Sequence, residues 1–257
     1  MVVHDLWPAM RLIWFGFKKF YYLYLLRRKG LPGLIRNHLQ ACLDLELTRP
    51  LGEAEFVVFD METTGLHAKR GDRIVSISAV RVKQGRIDLS DSFHEIVDPD
   101  RHIPSETAVI HGILPSMVHG KPTFEEVLPS FISYVGSSVL VAHHAWLDLS
   151  FLNQEMIRLY RFPIQSLVID TALLDRVLRS KTSYHGGLEL NSTLSATAER
   201  YHVRVEGHHS SFGDALATAQ VFQQMLKLAK KQDILRLRDL LRRAYRPVSL
   251  GQETSSI

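Results

Sequence analysis

The spacing of apolar and polar positions changes character along this 257-residue chain. Residues 9–29 form an aromatic-rich apolar stretch interrupted by Lys18 and Lys19, and a second helical pattern over 33–47 runs into the breaker Arg49-Pro50. From Phe56 onward, runs of strand formers alternate with helical periods. Strands are predicted at 55–61, 74–82 and 92–97, the first two separated by the turn His67–Asp72, so that the three read as an antiparallel meander. A helix over 123–135 leads to the apolar strand Val139–Ala142. Next comes a helix over 147–160, whose apolar positions Leu149, Leu152, Met156 and Leu159 recur at helical spacing, then a short strand at 167–169. Helices are predicted at 171–179, 193–202 and 213–230, with a basic helix at 232–245 and a frayed tail over the last ten residues. Antiparallel strands followed by helix-connected ones predict an α/β domain, a mixed sheet with helices on its faces. The expected organisation is a helical basic and aromatic extension at 1–50, a central domain at 51–231, and a basic C-terminal helix and tail at 232–257.

Charge divides the chain in the same way. Residues 1–50 hold eight Lys/Arg against three acids, residues 227–246 hold eight against two, and the centre, 51–226, holds 15 against 21. Basic ends suit a polyanion, whereas an acidic centre approaches phosphate only with metal cations. Each basic segment taken alone is equally well a solvated helix face. The single cysteine, Cys42, excludes an internal disulfide framework and any multi-cysteine zinc site, and accords with a reducing cytoplasm, where the chain is expected to work. No uninterrupted run of about 18 apolar residues argues for a transmembrane helix, and no basic n-region with a small-residue cleavage site argues for a secretory signal. The 9–29 stripe is expected to pack on its own domain, with docking on a membrane surface or a partner as the less favoured alternative.

Candidate chemistry begins at Phe56–Gly65. A run of apolar residues ends in Asp60 and Glu62, which alternation along a strand places on one face, and Thr63-Thr64-Gly65 then turns the chain away. Asp148 falls in the first turn of the 147–160 helix, where an acid alone is an ordinary helix-start residue. Asp214 opens the 213–230 helix behind His209, in a Ser211-x-x-Asp214 arrangement that resembles a cap. Asp170 reads as a helix-start residue.

As a set, these pieces resemble the DEDD exonuclease superfamily: Asp-x-Glu-Thr-Thr-Gly ending the first strand, an Asp after a His-x-Ala element, and His-x4-Asp opening a late helix. The histidine spacing is that of its DnaQ-like, DEDDh branch. Ala108–Ile113, Asp170–Leu174 and Asp214–Ala219 add to the likeness, which covers roughly residues 54–230. The resemblance implies an RNase H-like five-stranded mixed sheet and 3′→5′ removal of nucleotides with two divalent ions, Mg²⁺ or Mn²⁺. It casts Asp60, Glu62, Asp148 and Asp214 as metal ligands, and His209 as the base that takes a proton from water. Hard cations favour such all-oxygen ligand sets, and an unperturbed imidazole suits a base near neutrality. It also implies that Thr63, Thr64, Gly65, Leu66 and His144 meet the terminal nucleotide. His143 and His208 carry no assigned role, and His111-Gly112 is expected to shape a loop. The family commonly has Asn at the position of His144 and Phe at that of Leu147, two departures in this chain. DNA is favoured as substrate by similarity to the ε-type proofreading subunits of DNA polymerase III, which also makes a polymerase subunit a candidate partner. The alternatives are an exoribonuclease of the same superfamily and a non-catalytic adaptor that binds nucleic acid or a polymerase.

Overall fold

The computed structural model describes residues 19–179, 192–205 and 209–245. Its centre is a five-stranded sheet of order β3-β2-β1-β4-β5, with β1 Glu55–Thr63, β2 Ile74–Lys83, β3 Arg86–Ile96, β4 Val139–Ala142 and β5 Val168–Asp170. The first three strands pair antiparallel, and β4 and β5 join β1 in parallel. This is the mixed sheet predicted. β3 starts well before residue 92 because residues 86–91 form a polar edge without an apolar run, after a register shift between Val80 and Arg81.

Helices follow in chain order: α1, with described residues 19–26, α2 Gly33–Asp44, α3 Ser105–His111, α4 Pro115–Val118, α5 Phe124–Val135, α6 Trp146–Tyr160, α7 Thr171–Arg179, α8 Leu194–Arg200, α9 Ser211–Lys231 and α10 Leu237–Ala244. The short helices α3 and α4 have no sequence counterpart above. They are cut by Pro104, Gly112 and Pro115, and Val109, Ile110, Leu114 and Met117 stay exposed, so no periodic apolar face marks them. Gly112 ends α3 in the left-handed conformation that favours glycine. α10 begins at Leu237 rather than 232 because Arg236 is extended and bridges Pro50: Leu51 N–H donates to Leu235 O at 2.8 Å, and Leu237 N–H to Arg49 O at 3.1 Å.

Parity along β1 sets the two layers. Phe56 packs edge-on against Phe222 of α9 with ring centroids 4.9 Å apart, while Phe59 meets Phe131 of α5 at 5.8 Å. Even-numbered residues of β1 therefore face α9 and odd-numbered ones face α5. The flanking segments add to the same core. Tyr22 and Leu25 of α1 are buried, and Tyr22 OH donates to Gln165 Oε1 at 3.0 Å. Gln165 N–H in turn donates to His38 Nε2 of α2 at 2.9 Å. At the other terminus Tyr245 OH donates to Val168 O at 2.8 Å and accepts from Val168 N–H at 3.1 Å, closing the edge of β5. Residues 9–18 of the aromatic stripe, His208 and the final ten residues lie outside the described residues.

Candidate active site

Asp60 and Glu62 are even-numbered, so both carboxylates face α9 at the end of the central strand. Their cross-strand partners on β2 are Ser78 and Ser76. Small side chains there let the start of α9 lie close to the sheet. Ser211, its first residue, places its Oγ 2.9 Å from Ser76 Oγ and 2.7 Å from Ser78 Oγ, and Ser78 Oγ lies 2.7 Å from His94 Nδ1 on β3. All three serines are buried. The cap of α9 is Ser210, whose Oγ accepts from Gly213 N–H at 3.1 Å. The arrangement expected of Ser211 is thus shifted by one residue, freeing the Ser211 hydroxyl to dock the helix on β2. Asp214 follows one turn later, and oxygens of Asp60, Glu62 and Asp214 lie within 4.8 Å of one another.

The fourth acid arrives from β4. That strand pairs with β1 only as far as Val58–Val141, so the Met61 N–H beyond it has no strand partner. Asp148, buried in the first turn of α6, supplies one: its Oδ1 accepts from Met61 N–H at 3.1 Å. The loop before α6 is held by Asp170, whose Oδ2 accepts from Ala145 N–H at 3.0 Å and whose Oδ1 accepts from His144 N–H at 3.3 Å and Ala172 N–H at 2.9 Å. Asp170 therefore starts α7, as its sequence position predicts, and also fixes the turn that delivers Asp148. His144 has φ 55°, a left-handed conformation that glycine adopts freely and that Asn and Asp tolerate better than other side chains. His143 is structural: its Nε2 donates to Ser192 O at 2.6 Å, its Nδ1 faces Thr171 Oγ1 at 2.8 Å, and burial pushes its pKa down to about 4.

Beyond Glu62 the register shifts and the chain turns. Thr63 Oγ1 donates to Gly65 O at 2.6 Å. Thr64 is buried, and its hydroxyl donates to Asp72 Oδ1 at 3.4 Å and accepts from Arg73 N–H at 3.0 Å, so this side chain holds the turn rather than facing outward. Asp72 also accepts from His67 N–H at 2.9 Å and pairs with Arg101 at 3.3 Å. Gly65 is required by close approach: a Cβ there would meet Asp72 Cγ at 2.6 Å. Leu66 is exposed at the tip, next to the strand end. His209 is exposed immediately before the α9 cap, in a left-handed conformation with φ 62°.

Packing these acids together has an electrostatic cost. Burial, then the charges of Asp148, Glu62 and Asp214, raise the Asp60 pKa well above the usual carboxylate range. Burial and then Asp214 push Glu62 up to about 7. Asp148 is raised to about 8 by burial, with its hydrogen bond from Met61 opposing and Asp170 and Glu62 adding to the rise. Half-buried acids that repel one another and offer only oxygen donors fit a hard divalent cation, which relieves the repulsion.

Residues 57–222 match the protein family described as exonuclease. The chain belongs to the DnaQ-like exonuclease family. A DNA polymerase III PolC-type protein of Clostridium perfringens is 35% identical over 203 residues, covering 79% of this chain and 13% of that protein. A DNA polymerase III subunit epsilon-like protein of Rhodobacter capsulatus is 36% identical over 185 residues, 72% of this chain and 25% of its own length. The DnaQ-like domain thus corresponds to a small part of each of these relatives. Among solved structures, exonuclease X in complex with 5′-overhanging duplex DNA is 25% identical with TM-score 0.55, covering 72% of this chain and 99% of that one. E. coli exonuclease I bound to a dT13 oligonucleotide shares the fold at 14% identity and TM-score 0.57, over 71% of this chain and 43% of its own.

Some site residues escaped the sequence reading. Ser76, Ser78 and Asp72 were not singled out, although two serines alternating within the apolar run Ile74–Val80 are an anomaly for a buried strand. The role of Ser211 as a tether and the second role of Asp170 depend on which elements meet, and only the fold shows that.

Proposed function

We propose that this exonuclease is a divalent-metal-dependent enzyme that works 3′→5′ on DNA and releases nucleoside 5′-monophosphates. The observation that carries the reading is the convergence of Asp60, Glu62 and Asp214 within 4.8 Å, with Asp148 bonded to the same strand end. Asp60, Glu62 and Asp214, with Asp148 beside them, would hold two divalent ions, Mg²⁺ or Mn²⁺. Asp60 would serve both ions, Glu62 and Asp214 the one on the nucleophile side, and Asp148 the one on the leaving-group side. When bound, such ions activate water and neutralise charge on the phosphate and the departing 3′-oxygen. His209 accepts the proton of the attacking water as its oxygen bonds to phosphorus. The bond from phosphorus to the 3′-oxygen breaks, and its electron pair stays on that oxygen. Thr63, Gly65, Leu66 and His144 meet the terminal nucleotide, and Thr64 and Asp72 hold the turn that carries the first three. DNA is favoured over RNA because the relatives above are named as DNA polymerase III components, and those names also make a polymerase subunit the candidate partner. The cytoplasm is the proposed location, and among the described residues no helix is long and apolar enough to cross a membrane.

The test uses 5′-labelled single-stranded DNA and RNA of one sequence with Mg²⁺, Mn²⁺ or chelator. A ladder shortening from the 3′ end is expected, faster on DNA, and abolished by chelator and by Asp60→Ala. Full-length label under every metal condition, with folded protein, refutes the catalytic reading. Faster shortening of RNA assigns the enzyme to the exoribonucleases instead. For His209→Ala, loss of turnover with metal binding retained is expected, and unchanged rates across pH 6–9 remove it from the base role.

A further inference from the structure

α1 is apolar on more than the side it buries. Tyr22 and Leu25 enter the core, but on the opposite side Phe20, Tyr21, Leu23 and Tyr24 are 76, 51, 48 and 60% exposed. The helix is fastened in place: Lys19 Nζ donates to Leu43 O at 3.2 Å, and Arg36 donates to Leu26 O at 2.7 Å and Arg28 O at 3.4 Å at its C-terminal end. Arg27, Arg28 and Lys29 follow directly, all exposed, and among the described residues none of them pairs with an acid. Residues 6–43 contain seven Lys/Arg and no Asp or Glu. An apolar, aromatic outer face bordered by unopposed cations matches the chemistry of an anionic lipid surface.

We propose that the outer face of α1 with the Arg27–Lys29 cluster docks on an anionic phospholipid bilayer, holding the exonuclease at a membrane surface with its carboxylates turned away. The orientation follows from topology. Tyr22 bonds to Gln165, just before β5, whereas Asp60, Asp148 and Asp170 sit at or beyond the C-terminal ends of the parallel strands β1, β4 and β5. The patch and the carboxylates thus lie at opposite ends of those strands. That separation disfavours a substrate strand as the occupant, because stacked bases bound at α1 would not lead into the site, and a single strand is gripped in a groove rather than on a convex helix. A second copy of the chain is disfavoured by charge, because a two-fold contact through this face would set Arg27, Arg28 and Lys29 against their own copies.

Flotation of the full chain with phosphatidylcholine vesicles, with and without phosphatidylglycerol, tests this. Binding to the anionic vesicles only, weakened by salt, is expected. Phe20→Ser/Tyr21→Ser/Tyr24→Ser and Arg27→Glu/Arg28→Glu should each lower the bound fraction by at least about tenfold, with the unfolding midpoint and turnover of a short oligonucleotide unchanged. Because the second variant alters only exposed charge, it keeps the test informative should the first one unfold. The proposal is overturned if wild type stays unbound, if both variants bind like wild type, or if the substitutions instead abolish a dimer in sedimentation or the binding of a labelled dT oligonucleotide.

Discussion

Ser211→Ala removes the hydroxyl that ties the start of α9 to β2. Its Oγ stands 2.9 Å from Ser76 Oγ and 2.7 Å from Ser78 Oγ, and none of the three serines is more than 1% exposed. Ser78 retains His94 Nδ1 at 2.7 Å, but Ser76 is left with a buried hydroxyl and no partner for its side chain. A stranded buried polar group costs about 1–3 kcal/mol, whereas replacing all the partners with apolar groups of similar shape is nearly neutral. Ser211→Ala should therefore cost about 1–3 kcal/mol, and the triple variant Ser76→Ala/Ser78→Ala/Ser211→Ala should cost less than its single changes added together, with a coupling of about 0.5–3 kcal/mol. Urea unfolding in chelator, analysed by linear extrapolation at constant slope, measures both. Since Asp214 lies one turn beyond Ser211, the single variant should also need more Mg²⁺ for half-maximal turnover. A loss below about 0.5 kcal/mol, or strict additivity in the triple variant, would falsify the tether.

Three further outcomes follow from the electrostatics and the turn. Glu62 and Asp148, raised by burial to about 7 and about 8, keep protons in the folded protein that the unfolded chain releases near pH 4. Metal-free stability should accordingly fall as pH rises from about 4 to about 8. Mg²⁺ should raise the unfolding midpoint more at pH 8 than at pH 5.5, and Asp148→Asn should stabilise the metal-free protein at pH 8 while abolishing turnover. A pH-independent Mg²⁺ effect in thermal melts refutes this. Burial pushes His38 down to about 4, so the unfolded chain takes up a proton below about 6.5 that the folded protein refuses until near 4. Stability is lost across that fall in pH, and His38→Gln should flatten the acid limb of unfolding midpoint against pH. Gly65→Ala drives a Cβ into the Asp72 carboxylate and should raise KM for an oligonucleotide more than it lowers kcat. An unchanged KM would separate the turn from substrate binding.

The amino-acid pattern by itself determined the order of the five strands and of the helices other than α3 and α4, and singled out the acids that the fold gathers at the end of β1. Alternation along residues 56–62 places Asp60 and Glu62 on one face whatever surrounds them, and the helical spacing of Leu216, Ala219, Phe222 and Leu226 puts Asp214 at the start of a core helix. These are local facts, written in neighbouring residues. Tertiary structure alone decided what lies between distant segments. It brought Ser76 and Ser78 under Ser211, and turned Asp170 into the brace of the loop before Asp148. It set Asp148 on the Met61 N–H left open where β4 ends, and drew Thr64 inward onto Asp72. It also divided α1 between a buried and an exposed apolar side, which composition cannot do because Tyr22 and Tyr24 are the same residue. The physical reason is shared: periodicity reports which way a side chain points, while its partner is set by sheet order and helix docking. Those depend on the burial of the whole core.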